Sequence, residues 1–270
     1  MRVYLEGIGI LGPGLEGWAA SRAILLGEAP YAPKEVNPPP IPLLPPNERR
    51  RLVTTVKLAL AVGAESLANA GRDPGATATV FTSSGGDGDT IHGILEALAS
   101  EEREVSPTRF HNSVHNAPSG YWTIANRNRE PTTSLCAHDA SFAVGLLDAA
   151  AQATVDDRAV ALIAYDLPYP EPLNARRPIV STFAVALVLT PQAGPTSIAQ
   201  LTLALDRGSA EPPPMHDPRL EALRAGNPAA RSLPMLAAIA RGTTASVALE
   251  HVFGNVLKAT VGPANGASGR

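Results

Sequence analysis

Residues 132–154 read TTSLCAHDASFAVGLLDAAAQAT, and the change of pattern inside this stretch decides the fold. Residues 132–137 are short, β-compatible and partly apolar, which predicts a strand. From residue 139 the chain turns to Ala, Ser, Gly and Leu, which predicts a helix over 139–154. Side chains this small allow close packing on every side, so the helix is expected at the centre of the domain. A strand entering a turn that opens a buried helix is a unit of α/β architecture.

The flanks repeat the unit. Downstream, RAVALIAYD (158–166) and STFAVALVLTP (181–191) are nearly continuous apolar runs, as strands covered on both faces require. Upstream, ATATVFTS (76–83) predicts a strand, and helices are expected over 90–98 and 118–125. The opening residues, 1–13, form a strand stopped by Gly-Pro-Gly, before a helix over 15–26. Between Pro30 and Pro46 the prolines are too dense for regular helix and predict a surface connector. Leu52, Val56, Leu60, Gly63 and Leu67 recur at helical spacing, so one long helix is expected over 47–70, with Gly71 as its stop.

After residue 190 the pattern weakens. A strand is expected over 197–206, a second Pro-rich connector over 211–218, a helix over 229–240 despite Pro234, and two strands within 245–261. Residues 263–270 read as a flexible tail. The class is α/β, a layered sheet with helices on both faces.

Composition narrows the function. Apolar residues make up 44% of the 270 and charged residues only 17%, enough to bury a large core. The net charge is −3 with both signs scattered, so no basic patch points to nucleic acid. No apolar run approaches the ~18 residues of a membrane span, and no leader pattern opens the chain. The single cysteine, Cys136, rules out an internal disulfide and a cysteine-rich zinc site, and with these signals predicts a cytoplasmic protein.

Three segments in order resemble the β-ketoacyl synthases of the thiolase superfamily. They are the Gly-rich end of the first strand (7–14), VFTSSGGDGD (80–89), and FHNSVHNAPSGYWTIANR (110–127) followed by PTTSLCAHDASFAVGLLDAA (131–150). The resemblance runs from about Val3 to Pro191. It implies one thiolase-type half as a synthase N-terminal-like domain over 1–191, with 192–262 as a C-terminal extension packed on it.

Synthases carry their nucleophilic cysteine at the turn before the small-residue helix. Aligning Ala140-Ser141 and that helix with the family places Asp139 at the nucleophile position and leaves Cys136 three residues earlier, inside the strand. A thiol at a helix N-terminus is activated as thiolate. An aspartate there is a poor nucleophile, and its acyl anhydride would hydrolyse. The expected role of Asp139 is a helix cap, worth about 0.5–2 kcal/mol over alanine. The family's later His-Gly-Thr-Gly-Thr, Lys…Gly-His and Asn-Phe-Gly stretches are missing, and His251 lacks the Gly-Thr pair that would give it a catalytic role.

A synthase-like chain without nucleophile or histidines resembles a chain-length factor, in the short form of aryl-polyene-type pathways. The resemblance implies a non-catalytic partner in fatty acid or polyketide biosynthesis. It would pair with a full-length β-ketoacyl synthase, or with itself as a homodimer, and work with an acyl carrier protein. The candidate tunnel and dimer surface is Phe110, Val114, Asn116, Tyr121 and Trp122, which concentrates aromatic bulk in a chain only 4% aromatic. Two alternatives stand: a self-sufficient acyltransferase or condensing enzyme using Cys136, and a non-catalytic small-molecule-binding or scaffold homodimer.

No cofactor or metal is expected. The loop SSGGDGD (83–89) has two acids and no lysine, so it suits a tight turn rather than a phosphate cradle. His111 and His115 stand four apart without a third ligand. His138, Asp139 and Ser141 are sequence neighbours, which is no evidence for a triad.

Overall fold

The computed structural model describes residues 1–208 and 211–264. In chain order, β1 (Arg2–Gly12) pairs with the short β2 (Leu15–Glu16), and α1 (Trp18–Leu26) follows. The Pro-rich stretch then runs without regular structure to α2 (Pro46–Arg49), although Tyr31 and Leu44 tie it into the core. Next come α3 (Thr54–Ala70), β3 (Ala78–Thr82), α4 (Gly88–Ala99), α5 (Pro107–Asn112), α6 (Ala117–Asn126), β4 (Thr132–Leu135) and α7 (Ser141–Val155). The second half holds β5 (Val160–Asp166), α8 (Leu173–Arg176), β6 (Phe183–Thr190), β7 (Ala199–Arg207), α9 (Pro218–Gly226), α10 (Leu233–Arg241), β8 (Ala245–Glu250) and β9 (Asn255–Gly262).

All nine strands of the described residues join one sheet in the order β4-β3-β5-β6-β1-β7-β9-β8, with β2 attached to β1. The β4, β3 and β5 strands are parallel, and every other pairing is antiparallel. Alternate residues of each strand face opposite sides. Along β5, Leu162 and Ala164 belong to the buried cluster that includes α1, α7 and α10, whereas Ala161, Ile163 and Tyr165 belong to the one that includes α3 and α6. The near-continuous apolar strands are thus explained: β5 and β6 are buried along their whole length. The sheet after residue 191 continues through β7, β9 and β8 beside β1, under α10.

Several expectations need correction. The helix expected over 47–70 is two helices, broken at residues 50–53. Leu52 is buried among the same side chains as Val56, and the Arg51 carbonyl accepts a hydrogen bond from the Asn112 side chain (2.9 Å) instead of a helical N–H. The strand before the central turn stops at Leu135, so Cys136 lies outside it and is exposed. The α7 helix presses Phe142, Ala143, Leu146, Ala149 and Ala153 onto the sheet, but Val144, Leu147 and Ala151 remain half-buried, so it is not enclosed on all sides. Pro234 sits in the first turn of α10, where a missing N–H costs nothing. The tail expected over 263–270 lies, from residue 265, outside the described residues. No helix of the described residues is long and apolar enough to cross a membrane.

Candidate functional site

The turn between β4 and α7 is built from Cys136 to Ala140. Residues His138–Ala140 make a single 3₁₀ turn, and His138 adopts a left-handed conformation (φ 52°). A non-glycine residue there is strained by roughly 1–2 kcal/mol and is held by its surroundings. Ser141 does the holding: its Oγ accepts from the Ala137 N–H (3.0 Å) and donates to the His138 carbonyl (2.7 Å). Cys136 Sγ donates to the Ser84 carbonyl at 3.1 Å. Among the described residues no hydrogen bond joins this thiol to an imidazole.

Asp139 does not cap α7. Its Oδ1 accepts from Arg177 at 3.0 Å, and Arg231 lies 3.2 Å from its Oδ2. Arg231 also pairs with Glu250 at the end of β8. The expected cap fails because the backbone bends back at His138, which leaves Ser141 to serve the turn and points the carboxylate at the arginines. These four residues line or flank a cavity of about 340 Å³ that also includes His138, Arg176 and Asn227. A carboxylate engaged by two guanidiniums has its lone pairs occupied, which lowers its nucleophilicity further.

A second polar centre escaped the sequence reading. Asp166, at the buried end of β5, accepts on Oδ1 from the Ser84 N–H (2.8 Å), the Ser84 hydroxyl (2.7 Å) and the Ser83 hydroxyl (3.3 Å). Its Oδ2 is buried without a partner among the described residues. Burial pushes its carboxyl up to about 6, against the opposing pull of the Ser84 and Ser83 hydrogen bonds and of Arg177. The only sequence signal was an acid closing an apolar strand. Through Ser83 and Ser84 this acid fixes the glycine-rich turn, where His115 Nε2 also lies 3.4 Å from the Ser83 carbonyl. Within this loop the Gly85 and Gly86 N–H groups both donate to the Ser83 hydroxyl (3.4 and 3.0 Å). Asp87 caps α4 by accepting from the Thr90 N–H (2.8 Å).

The five residues expected at a tunnel or dimer surface divide. Phe110 (69% exposed), Val114 (51%) and Asn116 lie at the surface. Together with Tyr121, His111 and Ile124 they line a groove of about 420 Å³. Trp122 is 1% exposed and packs edge-on to Phe81 in the core, so its ring faces no partner. His111 meets the Tyr121 ring edge-on, and no cluster of metal ligands exists among the described residues.

A larger groove, of about 550 Å³, lies elsewhere. Ile91 and Leu95 of α4 form one wall, and Tyr169, Pro170, Leu173 and Arg176 form the other. Its floor is the glycine-rich turn: a Cβ on Gly85 would come within 1.9 Å of the Tyr169 hydroxyl. The sequence predicts a helix here, and the fold leaves its Ile91 and Leu95 exposed.

Comparison with known proteins places this geometry. The β-ketoacyl synthase N-terminal domain family matches residues 25–249. No curated protein matches the chain. Among solved structures, the ketosynthase (ApeO) in complex with its chain length factor (ApeC) from Xenorhabdus doucetiae contains a chain that is 23% identical. It superimposes with a TM-score of 0.72 over 96% of this chain and 99% of that one. The AntDE:AntF complex, a type II acyl-carrier protein with its ketosynthase bound to the hexaketide, matches at 11% identity and TM-score 0.73, over 97% and 99% of the two chains. The ketosynthase from module 1 of the bacillaene synthase of Bacillus amyloliquefaciens matches at 10% identity and TM-score 0.57, over 78% of this chain but 47% of that one. These likenesses establish the shared thiolase-like fold, and the match over residues 25–249 establishes the lineage: the chain belongs to the β-ketoacyl synthase N-terminal domain family.

Proposed function

We propose that this chain is a chain-length-factor-like partner of a full-length β-ketoacyl synthase, and that it forms no acyl-enzyme itself. The observation that carries the reading is Asp139, which stands where the family's nucleophile is expected and is engaged by Arg177 and Arg231. The matched complexes support it. Two chains from ketosynthase complexes, one of them with a chain length factor, are matched almost end to end, whereas a modular ketosynthase is matched over less than half of its length.

The partner would pair along β4, one of the two edge strands of the sheet, which contacts α6, where exposed Phe110, Val114 and Ile124 line one groove. Apolar and aromatic side chains beside an open strand edge are what a specific interface covers. The groove between α4 and Tyr169 would border the growing acyl chain, presented by an acyl carrier protein. In fatty acid or polyketide biosynthesis of the aryl-polyene type, such a lining would limit chain length by its volume.

The test is reconstitution. Tagged chain should co-purify with a full-length synthase, and only the pair should elongate malonyl carrier protein. Chain alone should take up no radiolabelled acyl group. The exposure of Cys136 favours examining one rival, a self-sufficient acyltransferase. Acyl loading of the isolated chain that disappears in Cys136→Ser would overturn the proposal in favour of that rival.

A further inference from the structure

The cavity of about 340 Å³ beside Asp139 carries charge of the opposite sign to the chain, which is −3 overall. Its charged lining is Arg176, Arg177, Arg231 and Asp139, three guanidiniums against one carboxylate. Glu250 adds an acid at the flank, but its side chain is 66% exposed and screened by water. Arg177 and Arg231 are only 23% and 22% exposed, and both are held in place. Asp139 holds Arg177 at 3.0 Å and Arg231 at 3.2 Å, with Glu250 as a further partner of Arg231. Behind them the fully buried Asn227 donates to the Ser181 carbonyl (2.7 Å) and accepts from the Ala230 N–H (3.1 Å). The wall that carries Arg231 is therefore fixed before any occupant arrives.

A guanidinium has five N–H donors. Arg231 spends Nη1 on Glu250 and Nη2 on Asp139, so its Nε–H has no partner among the described residues. Preset guanidiniums in excess over carboxylate select an oxyanion. Asp139 narrows the choice. A carboxylate accepts hydrogen bonds and donates none, so it repels an anion without a proton and accepts from one that has a proton. Hydrogen phosphate offers both charge for the arginines and an O–H for Asp139. Sulfate has the same shape and charge but no O–H. We propose that this cavity binds inorganic phosphate, held by Arg177 and Arg231, with its hydroxyl donating to Asp139. The binding requires no synthase, carrier protein or acyl group. It therefore goes beyond the chain-length reading, and either can fail while the other holds.

Calorimetric titration of the full chain with inorganic phosphate and with sulfate, in chloride buffer at constant ionic strength, tests it. Phosphate should bind at one site, about tenfold more tightly than sulfate, the worth of one hydrogen bond to a charged group. Asp139→Asn should erase that preference, because the amide N–H can donate to either anion. Arg177→Gln should weaken phosphate about tenfold. No saturable phosphate binding once ionic strength is fixed, or equal affinity of the two anions for the unmodified chain, overturns the proposal, and neither result needs a variant to fold. A preference for phosphate that survives Asp139→Asn, or an unaltered affinity in Arg177→Gln, overturns it as well.

Discussion

Arg231 reaches Asp139 across 92 positions of sequence and joins the turn after β4 to the segment that carries β8. Because β4 and β8 are the two ends of the sheet order, this ion pair ties the sheet's outer margins together. Asp139 is about one-third exposed and Arg231 about one-fifth, so solvent screens the pair. Asp139→Asn should therefore lower the melting temperature by only a few degrees, in line with roughly 1 kcal/mol in a chain of this size. Asp139→Cys should lose the same stability without gaining condensing activity, because exposed His138 is the one imidazole recorded beside Asp139 among the described residues (3.6 Å) and the family's later histidine stretches are missing. Thermal melts and acyl-loading assays on both variants check this.

Asp166 predicts a pH dependence of opposite sign to the usual carboxylate. Its folded value is about 6, above the roughly 4 of an unfolded aspartate. The folded state therefore holds its proton to higher pH than the unfolded state does. The contribution is fully present below about pH 4 and is lost as pH rises through 6, up to about 3 kcal/mol in all. Asp166→Asn should remove that slope. Urea midpoints at pH 5 and pH 7 measure it: the difference between wild type and variant should change with pH, and a constant difference would exclude the linkage.

The aromatic segment 110–122 separates what was legible in sequence from what was not. Its aromatic density was plain, but burial depends on the sheet: Trp122 lies over Phe81 of β3 and against Gly63 of α3, while Phe110 projects from α5. The apolar strands β5 and β6 were legible because burial on both faces forces continuous apolar runs. The break between α2 and α3 was hidden, since Leu52 and Val56 keep helical spacing across it and the Asn112 contact that ends the first helix comes from 61 residues away. The partners of Asp139 were hidden for the same reason: Arg177 and Arg231 arrive from α8's end and a 3₁₀ turn with no local signal.

From that division, Trp122→Ala should cost about 3–5 kcal/mol, the usual penalty for emptying a large core site. Phe110→Ala should leave the isolated chain within about 0.5 kcal/mol of wild type, as exposed substitutions do. Its effect should appear as weaker co-purification with a synthase. Denaturant titration of the chain alone, beside pull-down of the pair, separates the two roles. A large stability loss for Phe110→Ala would return that ring to the core.

Gly85 provides the most direct access to the groove. Its absent side chain is what admits the Tyr169 hydroxyl, since a Cβ would stand 1.9 Å from it. Gly85→Ala must therefore displace Tyr169, the residue that forms one wall and lies against Arg177. Overpacking of this kind costs typically 1–3 kcal/mol, and the tyrosine is half-buried at a surface groove, so it can move outward at the low end of that range. The Asp166 hydrogen bonds to Ser83 and Ser84 should hold the backbone of the turn in place while the ring moves. The groove then changes shape without loss of the fold or of the β4 edge. If it borders the growing chain, a synthase paired with Gly85→Ala should make products of altered length at an undiminished yield of complex. Mass spectrometry of carrier-bound products reads this, and an unchanged length distribution would remove the groove from the path of the chain.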